Sequence, residues 1–207
     1  MLDLSRTKVV PRYLDALGFQ GVFFFGGSMK IKTNRLIIRY FEVSDIDDFY
    51  EFSSQKEVGY TAGWKPHDSY SQSKRILWNK MMSLSNFAIV LKEENKVIGS
   101  IELNPSHIRK GIKAYEIGFA LNTKYWGFGY AKEASEALIE YAFKKEKAYI
   151  LEMCHIIDNY RSEKTILSLG FKYEGTLRAY KEMYDKRIID VKLYSMTKND
   201  YERMNNK

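Results

Sequence analysis

The order of the predicted elements indicates an α+β domain with a mixed sheet. Two helical segments come before a predicted hairpin, and strands alternate with helices in the second half of the chain. In the hairpin, residues 87–91 and 97–103 flank the polar turn 92–96. A chain of 207 residues with 45% hydrophobic and 29% charged residues suits one domain with a sizeable core.

The first half of the chain begins with a predicted strand over residues 36–41. Ser44 then opens a helix that runs to about residue 54, with Ser44 as its cap and acidic residues in its first turn. Residues 59–66 are predicted as a loop, and residues 69–85 as a second helix.

The second half is organised around a strand, a glycine turn and a helix. Apolar residues at every second position predict a strand over 115–121, and spacing of three or four predicts a helix that ends near residue 145. The remaining predicted elements are a strand over 149–155, a helix over 159–169, and strands over 172–180 and 188–197.

The glycine turn has the features of a phosphate site. Gly127 and Gly129 let the backbone approach a ligand closely, and the amides of residues 127–132 lie at a helix N-terminus, where anions bind. The alternative interpretation is that the two glycines only turn the chain before the helix. A dinucleotide fingerprint is excluded because Lys132 stands where glycine is required, and the Gly-Lys-Ser/Thr of a P-loop is absent.

Three runs in this order carry a resemblance to a known family: Tyr-Trp-Gly-Phe-Gly-Tyr-Ala-Lys-Glu-Ala at 125–134, Asp-Asn-Tyr-Arg-Ser at 158–162, and Leu-Gly-Phe-Lys-Tyr-Glu-Gly at 169–175. Together they resemble the GNAT superfamily of acetyl-CoA-dependent N-acetyltransferases, in its RimJ/RimL-like branch. The resemblance covers roughly residues 34–197. It implies a mostly antiparallel mixed sheet, splayed between the strands at Tyr115 and Tyr149, with helices on both faces.

The resemblance also implies a site for acetyl-CoA as co-substrate. Its pantetheine would pair with the backbone of Phe119, Ala120 and Leu121. Its pyrophosphate would bind the amides from Trp126 to Lys132, namely Trp126, Gly127, Phe128, Gly129, Tyr130, Ala131 and Lys132. Many relatives have Arg or Gln at the position of Trp126. The tryptophan side chain in this sequence cannot act as a cation. Lys132 would add electrostatic help, or is a solvated helix residue.

Asn159 and Ser162 match the family's Asn-x-x-Ser signature, although the same spacing fits simple helix capping. By resemblance, Asn159 binds pantetheine or substrate, and Ser162 protonates the departing thiolate. A carboxylate proposed as base in RimL-like enzymes corresponds to Lys181 here, so that route is in doubt even though Glu182 is adjacent.

Glu116 is the remaining candidate base. Strand alternation puts it opposite Tyr115 and Ile117 and on the face of Gly118, where it could accept the ammonium proton directly or through water. The alternative is a solvent-facing or ion-paired strand glutamate. The expected reaction is direct attack of a primary amine in a ternary complex, with a protein N-terminal amine as acceptor. The alternatives are a small amine or antibiotic as acceptor, or a degenerate CoA-binding regulatory domain.

Several other functions are disfavoured. His67, His107 and His155 lack metal spacing with the lone Cys154, and neighbouring strand residues 154 and 155 should point to opposite faces. No apolar run approaches the roughly 20 residues of a membrane helix. The net charge of +7 is spread along the chain without a nucleic-acid motif. A cytoplasmic, metal-free enzyme is expected.

Residues 1–28 do not fit the family pattern, which begins at Met29. We expect Met29 to be the biological start, with residues 1–28 an upstream extension or a poorly packed addition to the domain at 29–207. The alternative is an additional element whose Phe23 to Phe25 pack on a partner subunit of a homodimer.

Overall fold

A computed structural model describes residues 29–205. This range contains eight strands and six α-helices. The strands are β1 (Lys30–Lys32), β2 (Leu36–Tyr40), β3 (Asn86–Leu91), β4 (Lys96–Pro105), β5 (Ala114–Leu121), β6 (Ile150–Ile156), β7 (Lys172–Glu182) and β8 (Ile188–Thr197). The helices are α1 (Ile46–Ser53), α2 (Lys56–Ala62), α3 (Tyr70–Met82), α4 (Tyr130–Lys144), α5 (Tyr160–Ser168) and α6 (Lys198–Asn205).

The strands form one sheet in the order β1-β2-β3-β4-β5-β6-β8-β7. Six of its seven pairings are antiparallel, and β5 with β6 is the parallel pair. That pair is joined through α4, as a parallel connection requires a crossover. The predicted mixed, mostly antiparallel sheet is confirmed.

The sheet splits between its two parallel strands. Pairing of β5 with β6 begins at Ala114–Ile150 and ends at Glu116–Glu152. Beyond this point β5 continues to Leu121 and β6 to Ile156 without further pairing to each other. The predicted splay is therefore present, and it opens a gap in the middle of the sheet.

Helices cover both faces of the sheet, as predicted. One core packs α4 and α5 on one face, and a second core packs α1, α2 and α3 on the other. Phe49 and Phe52 of α1 are fully buried in the second core, where each contributes about 1.5–3 kcal/mol by burial. Strand β3 is buried on both faces, with Ile89 in the first core and Val90 in the second.

The predicted loop at residues 59–66 is wrong in its first half. Helix α2 continues through Gly59 to Ala62, and its C-cap residue Gly63 has a φ of 78°, in the left-handed region. Gly59 does not turn the chain. A Cβ there would lie 2.8 Å from both the Trp64 carbonyl oxygen and Cγ of Pro66, so glycine is needed for close approach of the following segment.

The predicted Ser44 cap is also wrong. A 3₁₀ turn over Val43–Asp45 precedes α1, and Glu42 and Asp45 form a capping box around it. Asp45 additionally holds a bidentate pair with Arg39 at 2.7 and 2.8 Å. In contrast, Ser69 caps the second predicted helix as expected, since its hydroxyl accepts from the Gln72 amide at 3.2 Å.

The proposed extension at residues 1–28 and the last two residues of the 29–207 domain lie outside the described residues. Met29, where the described chain begins, has a side chain buried against the first core. Over residues 29–205, no helix combines the length and apolar character needed to cross a membrane.

Candidate active site

The glycine turn forms a cradle of backbone amides before α4. Gly127 and Gly129 have φ values of 86° and 81°, a region that favours glycine, and a Cβ on Gly127 would meet no atom within 4 Å. The Glu133 amide makes the first bond of the helix, to the Gly129 carbonyl. The amides of Tyr130, Ala131 and Lys132 therefore precede the helix ladder and can bind an anion.

Arg35, which the sequence analysis missed, holds this cradle in place. Its Nη1 donates to the Phe128 carbonyl at 2.9 Å, and its guanidinium lies 4.4 Å from the centroid of the Tyr130 ring. Its Nε donates to Glu133 at 2.7 Å. Burial raises the pKa of Glu133, but hydrogen bonds from Thr33 and Arg35 outweigh it and hold that pKa below its ordinary value. The carboxylate in the first turn is thus already paired.

A cavity lies beside the glycine cradle, and the side chains of the cradle residues differ in whether they line it. Trp126 lines it, and its Nε1 donates to the Leu121 carbonyl at 2.8 Å. Lys132 also lines it and lies 3.6 Å from Glu136. Phe128 does not line it. Its side chain is exposed and stacks on Tyr130, so Phe128 can contribute only through its backbone.

Open backbone groups of β5 face the gap. The Asn122 amide donates to the Ile98 carbonyl at 2.8 Å, so Leu121 and Gly99 are a non-hydrogen-bonded pair. Such pairs alternate with hydrogen-bonded ones, and the amide and carbonyl of Phe119 therefore point away from β4. The backbone of Ala120 is hydrogen-bonded to β4, and the Leu121 carbonyl already accepts a hydrogen bond from Trp126 Nε1. Phe119 is the residue best placed to pair with an extended ligand.

Glu116 lies on the face of the sheet covered by α1, α2 and α3, at the last rung before the gap. It lines the cavity, and the Cys154 thiol donates to its Oε1 at 3.3 Å. The predicted orientation is confirmed, since Ile117 is buried in the opposite core. No cation lies within ion-pair distance of Glu116 in the range 29–205, so its carboxylate is available to a ligand.

Glu102 is a second carboxylate in the cavity that the sequence analysis missed. It lies on β4 directly opposite Gly118, next to the Asn104–Glu116 pair. Lys80 binds its Oε1 at 2.6 Å, and Asn104 donates to its Oε2 at 3.1 Å. The sequence signal for Glu102 was the alternation of polar Ser100, Glu102 and Asn104 with apolar residues. This signal indicates a shared face, but it places Glu102 beside Glu116 only when the pairing of β4 with β5 is known.

Gly118 makes a hollow in this floor. Its φ is not in the left-handed region, and a Cβ there would meet no atom within 4 Å. Neither backbone strain nor close packing therefore explains the glycine. It keeps space open between Glu116 and Ala120 on the cavity floor.

The α5 end of the cavity carries the Asn-x-x-Ser residues. Asn159 caps α5, because its Oδ1 accepts from the Ser162 amide at 3.2 Å. The capping interpretation is thus correct, but it uses only that oxygen. Asn159 and Ser162 both line the cavity, and in the described part of the chain neither Nδ2 of Asn159 nor the Ser162 hydroxyl has a hydrogen-bond partner.

Lys181, which stands where a carboxylate is proposed as base in RimL-like enzymes, extends its side chain towards α2. Its Nζ donates to the Gly63 carbonyl at 2.9 Å, so it ties β7 to the end of α2. The adjacent Glu182 binds Lys186 at 2.7 Å and does not line the cavity. Glu182 therefore does not replace the missing carboxylate.

Cys154 and His155 point to opposite faces, as predicted. His155 stacks on Tyr194, whereas Cys154 contacts Glu116. Burial, with the nearby Glu116 carboxylate, raises the pKa of the Cys154 thiol far above its ordinary value, which makes it a poor nucleophile. Over residues 29–205 there is no cluster of three or more metal-ligating side chains.

One cavity of about 660 Å³ joins these parts. It runs from the glycine cradle past the gap to Glu116, and Trp64, Thr61 and Ala62 also line it. Every predicted site residue except Phe128 lines this cavity: Glu116, Phe119, Ala120, Leu121, Trp126, Gly127, Gly129, Tyr130, Ala131, Lys132, Asn159 and Ser162.

Known proteins share this architecture. Residues 35–172 match the acetyltransferase (GNAT) domain family. The uncharacterized N-acetyltransferase p20 of Bacillus licheniformis is 33% identical over 175 residues, which cover 82% of this chain and 96% of that protein. A GNAT-family acetyltransferase structure from Bacillus anthracis has a TM-score of 0.74 and 27% identity, covering 83% of this chain and 99% of that one.

The fold is also that of the microcin C7 self-immunity acetyltransferase MccE, solved with acetyl-CoA and AMP, at a TM-score of 0.70 and 20% identity, covering 80% of this chain and 93% of that one. The family match and the p20 relative together span most of the described domain. The chain therefore belongs to the GNAT family of N-acetyltransferases, enzymes that use acetyl-CoA as co-substrate.

Proposed function

We propose that this enzyme transfers the acetyl group of acetyl-CoA to a primary amine by direct attack in a ternary complex. The observation that carries the proposal is the single cavity that joins the glycine cradle to Glu116 through the gap in the sheet. A phosphate-bearing donor and an amine can meet there from opposite faces of the sheet.

The donor fits the cradle and the gap. The amides from Trp126 to Lys132 would hold the pyrophosphate, with the open space at Gly127 admitting it. The Phe119 backbone would pair with the pantetheine amides, and Asn159 Nδ2 would bind the same chain. Lys132 would add positive charge beside the phosphates.

In the proposed reaction, Glu116 accepts a proton from the bound ammonium, directly or through water. The neutral nitrogen bonds to the acetyl carbon, and the carbon–sulfur bond of the thioester breaks. Ser162 donates a proton to the departing sulfur and regains one from the attacking nitrogen, directly or through water, so the products are an amide and the thiol of CoA. No acetyl-enzyme is required, which agrees with the raised pKa of Cys154.

For the acceptor, we propose a protein N-terminal amine, as in the RimJ/RimL-like branch that the three sequence runs resemble. A small amine or an antibiotic is the alternative within the same chemistry. A CoA-binding regulatory domain is the alternative that Trp126 and Lys181 raise, since relatives often keep polar groups for phosphate binding or catalysis at those positions.

Ligand binding is tested first, by thermal unfolding. CoA at about 100 times its dissociation constant should add roughly 2.7 kcal/mol to the free energy of unfolding. NAD and ATP should do much less. Gly129→Glu should abolish the response to CoA by placing bulk and negative charge in the cradle. A full CoA response in that variant would contradict the site.

The acceptor is then identified by thiol release from acetyl-CoA. Peptides with the N-termini of ribosomal proteins, polyamines and aminoglycosides are compared at equal concentration. Preferred turnover of the peptides would support the N-terminal acceptor. Preferred turnover of a small amine would replace it, and tight CoA binding without turnover of any amine would favour the regulatory domain.

A further inference from the structure

The cradle lacks a cationic side chain at Trp126, but α5 supplies one at the same place. The guanidinium carbon of Arg161 lies 4.3 Å from the centroid of the Trp126 ring. Trp126 is itself held by its hydrogen bond to the Leu121 carbonyl. The stack therefore fixes Arg161 of α5 beside the phosphate cradle of α4, and both residues line the cavity.

The stacking leaves the ligand-binding edge of Arg161 available. A guanidinium that contacts the face of an aromatic ring keeps N–H donors that can bind two oxygens of a phosphate. Arg161 has no ion pair or side-chain hydrogen bond with any residue in the range 29–205.

Lys164 extends this charge by one helical turn. It lies three residues after Arg161 on α5 and lines the same cavity, so the two side chains are neighbours on one face of the helix. Lys164 likewise forms no ion pair with the residues that the structure describes. Other cations near the cavity are paired, such as Lys132 with Glu136 and Lys124 with Glu51.

The acidic residues near α5 do not cancel these charges. Glu163 points to the other side, where Lys192 binds it at 2.6 Å and Tyr194 at 2.9 Å. Asp158 and Glu57 line an adjoining hollow with Arg161, but neither is within ion-pair distance of it. The cavity wall at α5 is therefore positive.

We propose that Arg161 and Lys164 form the second wall of the phosphate site and bind the phosphates of CoA from α5, opposite the amides of α4. This rests on the proposed function, because it requires CoA as the ligand. The cation expected at position 126 is thus replaced by one from a different element. The phosphate bound is either the pyrophosphate or the 3′-phosphate, which share this chemistry.

The test is calorimetric titration of the full chain with CoA and with 3′-dephospho-CoA. Arg161→Gln and Lys164→Gln should each weaken CoA binding about five- to tenfold, the effect of losing a partly exposed charged contact. The loss should shrink as salt is raised. Equal losses for both ligands identify the pyrophosphate, and a loss confined to CoA identifies the 3′-phosphate.

Arg75→Gln and Lys74→Gln are the matched controls. They remove the same charges from exposed positions on α3 that do not line the cavity, and should leave CoA binding unchanged. Arg161→Lys, which keeps the charge but loses the planar guanidinium and its paired donors, should restore only part of the affinity that Arg161→Gln loses. Melting temperature without ligand is measured for each variant to separate binding from folding.

Three outcomes would overturn the inference. If Arg161→Gln and Lys164→Gln bind CoA as tightly as the controls do, α5 is not part of the phosphate site, while the proposed function still stands. If Arg161→Gln lowers only the melting temperature, the stack on Trp126 is a packing contact. Failure of the unaltered chain to bind CoA would instead remove the proposed function together with this inference.

Discussion

Glu116 and Cys154 form the contact at the bottom of the cavity where β5 and β6 separate. The thiol, protonated because burial raises its pKa, donates to one carboxylate oxygen and leaves the other open. The contact with Cys154 is therefore compatible with the proposed role of Glu116 as proton acceptor.

If Glu116 is the base, Glu116→Gln should lower turnover by about 10²–10⁴-fold, the usual effect of a lost acid–base group. The loss should be largest at low pH and should recover as the pH rises, because the free amine fraction of the acceptor grows. Turnover is measured across the pH range with saturating acetyl-CoA. Glu182→Gln, an exposed carboxylate paired with Lys186, is the control. An unaltered rate and pH profile would remove Glu116 as base.

Cys154 should be inert in catalysis. Cys154→Ala should keep turnover within about tenfold, because it removes only a contact to Glu116. Iodoacetamide at neutral pH should modify the unfolded chain much faster than the folded one, since burial raises the thiol pKa in the folded state. Parallel double-reciprocal lines, or an acetylated Cys154 formed with acetyl-CoA alone, would contradict direct transfer.

The residues that sequence reasoning missed share one property: each works through a partner on another element. Glu102 joins the floor because β4 pairs with β5, and Arg161 reaches the cradle because Trp126 lies across the gap. Arg35 holds the cradle from the start of β2. Such contacts depend on strand register and helix docking, which single-chain spacing does not specify. Glu116, in contrast, needed only strand alternation.

The β4–β5 pair gives a test of the cavity floor through its glycines. Gly118→Ala adds a methyl group into open space, so stability should stay the same or rise by about 0.4–1 kcal/mol. Because the hollow is then filled, the KM for the acceptor should rise about tenfold, as for one misplaced methylene in a pocket. Both are measured, by urea unfolding and by thiol-release kinetics.

Two glycines elsewhere in the sheet serve as controls for that change. Gly99→Ala on β4 would put a Cβ 2.2 Å from the Ala120 carbonyl oxygen, so it should destabilise the fold by about 1–3 kcal/mol. Gly175→Ala on β7 adds a methyl group with no neighbour within 4 Å and away from the cavity, so it should affect stability as Gly118→Ala does and leave the KM unchanged. A Gly118→Ala enzyme with normal kinetics would show that the hollow holds no ligand.

The segment between α2 and α3 should make stability depend on pH. His67 is buried, and its Nδ1 lies 2.8 Å from Ser53 Oγ and 2.6 Å from Ser73 Oγ. Burial lowers the pKa of His67, the Lys80 charge lowers it further, and Asp68 opposes them. The unfolded chain therefore takes up a proton first as the pH falls below about 6.5, and this favours unfolding.

The free energy of unfolding should thus fall between pH 7.5 and 5.5, by no more than about 1.4 kcal/mol per pH unit from this group. The loss should end once the pH is below the folded-state pKa. Urea unfolding of the unaltered chain and of His67→Gln is compared at both pH values. The variant should show the weaker pH dependence. Equal dependence in the two chains would assign the effect to other groups.

Two elements were predicted wrongly because the residue type at one position suggested a backbone role that the folded chain gives it no part in. Gly59 looked like a loop glycine but sits inside α2, where the segment around Pro66 approaches it. Ser44 looked like a cap, but Asp45 and Glu42 satisfy the first turn. The first error missed the short helix α2 and the second misplaced a helix start, and both features depend on contacts made after the chain has folded.

For the whole molecule, the order of the long elements and the splayed sheet were predictable. The alternation of apolar and polar residues in strands such as β5 predicted the elements, and the family resemblance of the three sequence runs implied the splay. The first and last elements were not predicted. Strand β1 has three residues and too little pattern, and α6 is mostly polar, with its Tyr201 stacking on Phe143 at 4.8 Å between ring centroids. These two depend on docking to the sheet.

Met29 is only 8% exposed and packs against the first core, and β1 pairs with β2 from Lys30 onwards. A chain that begins at Met29 keeps all of these contacts. We therefore expect its melting temperature to lie within about 2 °C of that of the full chain, with equal activity and equal oligomer size, since that shift corresponds to less than about 1 kcal/mol.

A chain that begins at Asn34 is the matched comparison. It loses the buried Met29 side chain and all of β1, so it should lose about 2 kcal/mol or more from the side chain alone, which corresponds to roughly 5 °C. The two truncations together separate the domain from residues 1–28. A large loss of activity, stability or oligomer size in the Met29 chain would contradict the interpretation of residues 1–28 as an extension. A smaller oligomer would favour the alternative in which Phe23 to Phe25 pack on a partner subunit.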